Sequence, residues 1–308
     1  MSRTRSSKNK RKWPKILLIT AGVLLLGIGF YVYSVYRSLN ETLETIHEPI
    51  RETSEKREEK VTLDRQDPFS VLLLGVDQRP NDRGRSDTMI VLTVNPNKES
   101  VQMVSIPRDT RTEIVGKGIQ DKINHAYAFG GVEMAIDTVE NFLDIPIDYY
   151  VQINMEGFKD IVDAVGGVTV ENDMEFSHGG HHFPKGNITL NGEEALSFVR
   201  MRKGDPRGEF GRQFRQRQII EAVIKEGASL NTLMNYGDIF EAVAGSVKTN
   251  LTFDEMVAIQ KQYRKAAKNI NQHQIDGSGR YIDGIFYWIV PEEEQTALQD
   301  LLKEHLEI

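Results

Sequence analysis

The sequence predicts an α/β or α+β domain built on a mixed sheet, carried behind one membrane-spanning segment. Three observations lead there. Phe69–Gly75 (FSVLLLG) is a short, almost wholly apolar run following Pro68, the composition of a buried strand. Down the rest of the chain, segments with helical apolar spacing alternate with β-branched runs, as in a sheet with helices packed on it. Ahead of all this, Ile16–Tyr36 is 21 residues without a charge. A helix of that length crosses a hydrocarbon core of about 30 Å.

Thr88–Asn95 and Val101–Ile106 are rich in β-branched residues and are separated by the turn-forming Asn95-Pro96-Asn97-Lys98, so they read as a hairpin beside the first strand. Gly131–Leu143 sets Val132, Ala135, Ile136, Val139 and Leu143 at helical spacing. Tyr149–Ile153 reads as a strand. Met155–Val165 reads as a helix with Asn154 as its N-cap and Gly166-Gly167 as its stop. Val168–Val170 returns as a strand, Asn191 opens a helix through Phe198, and Arg212–Ala228 forms a longer one. Beyond Leu230 the pattern is mainly helical, closing with a strand at Tyr281–Val290 and a helix after Pro291.

Charge divides the chain into four parts. Residues 1–15 form a basic tail holding seven Lys and Arg, against two in the 15 residues after the span (Arg37 and Arg51). This asymmetry puts the tail in the cytosol and everything after residue 36 outside. The run ends in Tyr31, Tyr33 and Tyr36 with no small-residue cleavage site, so 16–36 reads as an uncleaved signal anchor. Residues 37–66, with seven Glu and few apolar groups, read as a polar stalk. Residues 67–308 then make one domain. The chain has no cysteine, which excludes disulfides and thiol chemistry. The basic tail beside a membrane span is a topology signal rather than a nucleic-acid site, and it has no helix-turn-helix pattern.

Residues 16–308 carry 31 basic and 45 acidic groups, a net charge of −14, yet Arg200–Arg217 (RMRKGDPRGEFGRQFRQR) packs six arginines into eighteen residues. An acidic domain that gathers guanidiniums this way points to a concentrated anion, since the planar fork matches phosphate oxygens and keeps its charge. A solvated basic helix face is the alternative. Arg212 and Gln216 lie one helical turn apart, with Arg217 off that face and expected on the surface. Arg200 and Arg202 point the same way if the chain is extended past the helix end and diverge if the helix continues.

Asp77 sits just past the first strand and Asp87 just before the second, so both carboxylates fall at one end of the sheet. Such a pair suits Mg²⁺, which takes one or two carboxylates together with water and phosphate oxygens. It is also what two turn-forming aspartates look like. Arg108 follows Pro107 at the end of the third strand, and Lys122 comes shortly after. His178, His181 and His182 (HGGHH) read as a solvated loop rather than a metal site. Gly116-Lys117-Gly118 lacks the Walker pattern, and there is no GxSxG elbow.

Taken in order, LLLGVD ending at Asp77, GRSDT ending at Thr88, SIPRD ending at Asp109, KINHAY ending at Tyr127, LNGEEAL ending at Leu196, FVRMRKGDPRGEFGR ending at Arg212 and RQRQ ending at Gln218 resemble the LytR-CpsA-Psr family of Gram-positive bacteria, nearest its teichoic-acid transferases. The resemblance covers about residues 69–220. It implies a three-layer α/β/α fold and an apolar pocket for a polyprenyl chain with pyrophosphate at its mouth. It implies Mg²⁺-dependent transfer of an anionic glycopolymer from undecaprenyl pyrophosphate to a peptidoglycan muramic-acid hydroxyl, at the outer face of the cell membrane. By position, Asp77 and Asp87 match the Mg²⁺-linked aspartates. Arg85, Arg108, Arg200, Arg202 and Arg212 match the pyrophosphate arginines, with Lys122 and Gln216 beside them. Arg207 and Arg215 receive no ligand role, and Asp87 and Asp109 are candidate general bases. A lipid-pyrophosphate pyrophosphatase and a non-catalytic lipid-pyrophosphate binder are the competing functions.

Overall fold

A computed structural model describes residues 46–50, 54–77, 84–228 and 245–308. The expected tail (1–15) and anchor (16–36) lie outside the described residues, as does 78–83 of the loop between Asp77 and Asp87. Among the described residues no helix is long and apolar enough to cross a membrane.

The amino-terminal half contributes β1 (Phe69–Val76), β2 (Ser86–Asn95), β3 (Ser100–Ser105), β4 (Arg111–Ile114), β5 (Ile119–Lys122), α1 (His125–Leu143), β6 (Tyr149–Ile153) and α2 (Met155–Ala164). Then come β7 (Val168–Asn172), β8 (Phe176–His178), β9 (His181–Phe183), β10 (Gly186–Leu190), α3 (Gly192–Arg200) and α4 (Glu209–Gly227). The chain closes with β11 (Val247–Thr249), α5 (Phe253–Gln262), β12 (Ile270–Gln274), β13 (Ser278–Ile282), β14 (Ile285–Ile289) and α6 (Glu292–Leu306).

The central sheet has six strands in the order β11-β6-β1-β2-β3-β12. It is mixed: β1 pairs antiparallel with β2 and parallel with β6, while β12 joins β3 in parallel. Alternation along β1 explains why helices cover both faces. Leu72, Leu74 and Val76 pack with α1 and α6, whereas Phe69 and Val71 pack on the other face, where Ile220 and Ile224 of α4 and Met256 of α5 close the layer. A third apolar cluster joins α2, α3, β7, β9 and β10 through Val162, Phe198 and Phe183.

The local signals act as expected at α2, where the Asn154 side chain accepts from Gly157 N at 2.9 Å, and Gly166 and Gly167 both take positive φ beyond the helix. Asn191 caps α3 reciprocally with Glu194. Four elements differ from the sequence expectation. Helix α1 begins at His125, and Gly131, expected to start it, is instead a break inside it (φ 72, ψ −152). The expected last strand is a hairpin, β13–β14, turning at Asp283-Gly284. The tract after Leu230 holds strands β11 and β12 as well as helix. The segment read as a stalk is not free-standing in its described part: Ile46 and Leu63 are buried in the domain, Ser54 Oγ donates to Glu140 at 2.6 Å, and Arg57 Nη2 donates to Asp148 at 2.9 Å. The described residues from Ile46 onward accordingly belong to one compact unit. A few apolar residues and one arginine suffice to dock a polar segment onto an existing core, although it has too few to build its own.

His305, on the last turn of α6, is buried between Thr93 Oγ1 (2.8 Å from Nδ1) and Ser100 Oγ (3.0 Å from Nε2). Burial, with the nearby Lys98 charge, pushes its pKa down to about 4. The unfolded chain binds this proton near pH 6.5, so the imidazole's contribution to stability is complete above that pH and is lost as pH falls toward 4. Between pH 7 and 4.5 the wild type is expected to lose on the order of 2 kcal/mol more than His305→Asn. Urea midpoints at the two pH values measure this, and parallel losses in both proteins would refute it.

Candidate active site

Strands β1 and β6 run parallel and adjacent, so their carboxyl ends open a crevice of the kind in which α/β sheets hold ligands. Here α2, α3 and α4 wall the crevice into a cavity of about 260 Å³. Its apolar wall is Leu73, Ile153, Phe158, Leu196, Val199 and Ile220; Asp77, Asp87, Asn154, Arg200, Arg212 and Gln216 supply its polar groups.

The backbone places these groups. Gly75 lies opposite Thr88, so close that a Cβ there would sit 2.9 Å from the Thr88 Cβ, and the pairing slips between Gly75 and Val76. This lets the strand end turn Asp77 and Asp87 to the same cavity. Gln216 Nε2 donates to Thr88 Oγ1 at 2.9 Å, tying α4 to β2 beside them.

Arg108, Lys122, Arg202 and Arg212 are prepaired with carboxylates. Arg108 Nη1 donates to Asp87 Oδ1 at 2.7 Å, and Lys122 Nζ to Asp109 Oδ1 at 2.6 Å. Burial opposes the charge on Arg108, but Asp87, with Glu209 and Asp109 nearby, raises its pKa above the ordinary arginine value. Arg212 Nη2 donates to Glu209 Oε1, and Arg202 Nε lies 3.6 Å from Glu209 Oε2. Buried Arg212 Nε has no hydrogen-bond partner among the described residues, so the cluster keeps donor capacity for an incoming anion; Glu209 Oε2, likewise without a hydrogen-bond partner among them, is an acceptor. Arg200, the last residue of α3, is exposed and lies against the Met155 sulfur. The helix ends there: Met201 is extended, and Arg202 reaches toward α4 instead.

Asp77, Asp87, Arg200, Arg212 and Gln216 thus line one cavity. Arg108 joins them through Asp87 and Arg202 through Glu209, while Lys122 stands one step back behind Asp109. Arg85 is exposed on the chain entering β2 and is not part of the lining. The sequence reading did not single out Glu209, which sits among the arginines, or the residues that form the expected apolar pocket. Phe158, Leu196 and Val199 carry no signal that separates a cavity wall from a helix core.

Arg217 is a correction. Far from being a surface residue, it is 4 % exposed, with Nε donating to Gln272 Oε1 at 3.0 Å and Nη1 to Ser105 Oγ at 3.1 Å. Burial lowers its pKa to about 10. Helix α4 is sandwiched between the sheet and the third cluster, so leaving the Arg212/Gln216 face leads into the sheet edge rather than to water. Arg215 is also buried, on Asp205 (2.6 Å), Phe198 O and Met201 O. Arg207 grips the same Asp205 and Asp173. These two hold the loop between α3 and α4 in shape. The HGGHH run is the β8–β9 hairpin, with Gly179 and Gly180 at positive φ in its turn. Among the described residues no group of three or more His, Asp or Glu could hold a metal by itself.

An apolar cavity closed by two carboxylates and two guanidiniums, with further arginines behind them, defines a receptor for an amphiphile with an anionic head. The LytR_cpsA_psr family model matches residues 32–304, and the chain belongs to this LytR-CpsA-Psr family. It is 54% identical over 288 residues, 93% of this chain and 95% of the relative, to the polyisoprenyl-teichoic acid–peptidoglycan teichoic acid transferase TagU of Bacillus anthracis. The crystal structure of TagU from B. subtilis superposes with a TM-score of 0.64 at 52% identity, covering 79% of this chain and 98% of that one. The structure of TagT bound to LI-WTA superposes with a TM-score of 0.72 at 31% identity, covering 84% and 98%.

Proposed function

We propose that the chain transfers wall teichoic acid, or a closely similar anionic glycopolymer, from undecaprenyl pyrophosphate to a muramic-acid hydroxyl of peptidoglycan. The observation that carries this is the cavity: apolar along Leu73, Phe158 and Ile220, and ionic where Asp77, Asp87, Arg200 and Arg212 meet. A polyprenyl tail belongs in the first part and a pyrophosphate in the second. The acceptor hydroxyl attacks the phosphorus that carries the glycopolymer. A new P–O bond to the sugar forms, the bridging P–O bond of the pyrophosphate breaks, and undecaprenyl phosphate leaves. The hydroxyl proton passes to a carboxylate, with Asp87, which lines the cavity, and Asp109, which does not, the candidates. Such transfer needs positioning and charge neutralisation more than covalent help from the protein. Arg200 and Arg212 hold the phosphates directly. Arg108 and Arg202 act from behind Asp87 and Glu209, and Lys122 adds positive charge behind Asp109.

Asp77 and Asp87 fit Mg²⁺. Two carboxylates at the entrance to a phosphate site, of which Asp87 gives only Oδ1 to Arg108, are the donor set this ion takes when phosphate and water complete its shell. The ion would neutralise charge on the pyrophosphate. Residues 16–36 anchor the chain in the membrane with the domain outside, where lipid-linked donor and wall meet.

The reading is tested with a radiolabelled polyprenyl-pyrophosphate saccharide and soluble peptidoglycan. Label is expected in the glycan; label released only as free saccharide phosphate would make water the acceptor. Asp77→Ala and Asp87→Ala are expected to abolish transfer and the Mg²⁺-dependent part of donor binding, with melting temperature little changed. A double variant that still binds donor more tightly when Mg²⁺ is added would reject the metal site.

A further inference from the structure

The β13–β14 hairpin carries an aromatic stripe that the cavity chemistry does not use. In its register Gly279 faces Trp288 and Tyr281 faces Phe286, so these four positions share one face. The Phe210 and Trp288 rings meet edge to face at 5.0 Å, and Phe286 and Tyr281 at 5.5 Å. Phe286 lies over Gly279, where a Cβ would come within 2.7 Å of its ring. A flat ring over a bare glycine presents its outer face to solvent. Exposure rises outward along the stripe, from half-buried Trp288 to Phe286 at 36 % and Tyr281 at 73 %.

The inner end of the stripe is fixed to the anion cluster twice. Phe210 is next in sequence to Glu209, the partner of Arg202 and Arg212. Trp288 N donates to Asp109 O at 2.8 Å, beside Arg108 and Lys122. The stripe therefore starts beside the ionic cluster, and none of its rings lines the apolar cavity.

Charge selects the occupant. Residues 276–294 hold Asp276, Asp283, Glu292, Glu293 and Glu294 against Arg280, and the cations from other elements, Arg111 and Lys122, stand by Tyr287 on the hairpin's other face. Such a neighbourhood repels a phosphate-rich polymer and an anionic lipid surface, but not the uncharged backbone of a glycan. Pyranose rings present apolar C–H faces that stack on exposed aromatic rings, as other flat apolar groups do.

We propose that the Trp288–Phe286–Tyr281 stripe is the acceptor subsite, on which a peptidoglycan glycan strand lies so that one hydroxyl reaches the anion cluster. This deepens the functional reading above and rests on it.

Full-length protein in detergent is assayed with the labelled donor and a soluble, uncrosslinked peptidoglycan strand. For the double variant Tyr281→Ala/Phe286→Ala the acceptor KM is expected to rise about tenfold, from two lost aromatic contacts, with kcat and donor KM unchanged. Tyr281→Trp is expected to retain the wild-type KM. Ile285→Ser, exposed on the opposite face of the hairpin, should leave it unchanged as well. An unchanged acceptor KM in the double variant overturns the proposal. So does a rise in donor KM instead, which would assign the stripe to the lipid side, or an equal rise in Ile285→Ser. Equilibrium binding of the strand without donor is read alongside. Binding that weakens in the double variant upholds the subsite even if the wild type transfers nothing, the result that would sink the transferase reading; equal binding by both proteins rejects the subsite.

Discussion

Arg212→Ala is expected to cut transfer roughly 30- to 1000-fold while leaving the protein folded. Its guanidinium lines the cavity on the first turns of α4, with Nε buried and without a hydrogen-bond partner among the described residues. A donor held ready in a partly desolvated site contributes about 2–4 kcal/mol to the transition state when charge develops against it. Arg200→Ala is expected to behave similarly. Arg202→Ala is expected to fall in the same direction by less, because Arg202 is half exposed and engages Glu209 at 3.6 Å. Lysine should rescue only in part, since it brings charge without the fork. Exposed Lys203 is the appropriate control, and Lys203→Ala should stay within a few-fold of wild type. Arg217 cannot serve: its burial against Ser105 and Gln272 makes Arg217→Ala a stability variant. Initial rates at saturating Mg²⁺, with circular dichroism on every variant, measure the effect. Arg200 and Arg212 variants as active as Lys203→Ala would make the cluster a solvated basic face.

Arg215→Ala is expected to be the most destabilising of the arginine changes, by about 3–5 kcal/mol. Arg215 and Asp205 are 1 % and 0 % exposed in their side chains and 2.6 Å apart. Removing the guanidinium takes the buried partner from the Asp205 carboxylate, leaving it only Arg207, and leaves the Phe198 and Met201 carbonyls without their donor. Burial opposes the Asp205 charge, but hydrogen bonds from Arg207 and Arg215 hold its pKa well below the usual carboxylate range. Gly211 is part of the arrangement, since a Cβ there would fall 2.0 Å from Asp205 Oδ2. For a domain of this size the loss corresponds to a fall in Tm of roughly 10 °C. Asp205→Ala should cost a similar amount, and the double variant less than the two together, because neither charge is then left alone. Strict additivity of the two losses would show that they do not act as a pair. Neither residue lines the cavity, so activity per folded molecule should change far less than in Arg212→Ala.

The sequence by itself determined the elements whose signals are local. Strands β1, β2 and β3 are visible because the sheet buries them on both faces and demands near-continuous apolar runs. Asn154 and Gly166-Gly167 mark the ends of α2 because caps and stops act within a few residues. The same locality put Asp77 and Asp87 at one end of the sheet, since strand order alone brings them there. Strand β12 was hidden: its INQHQ sequence lies on a sheet edge, where polar side chains meet water or the buried polar groups of β3 and α4. The β13–β14 turn was available in Asp283-Gly284, a dipeptide that supplies the positive φ a tight hairpin needs, and the flanking apolar run masked it. What only the tertiary structure decided is the sorting of the arginines and the making of the cavity. Arg212, Arg215 and Arg217 are chemically identical and within six residues, yet one faces the cavity, one is buried on Asp205 and one on the sheet edge. A helix sequence records the angle between its side chains, but not which neighbour stands at each angle. Whether an apolar face closes into core or walls a cavity likewise depends on how far apart α2, α3 and α4 are held, a distance set by elements remote in the chain.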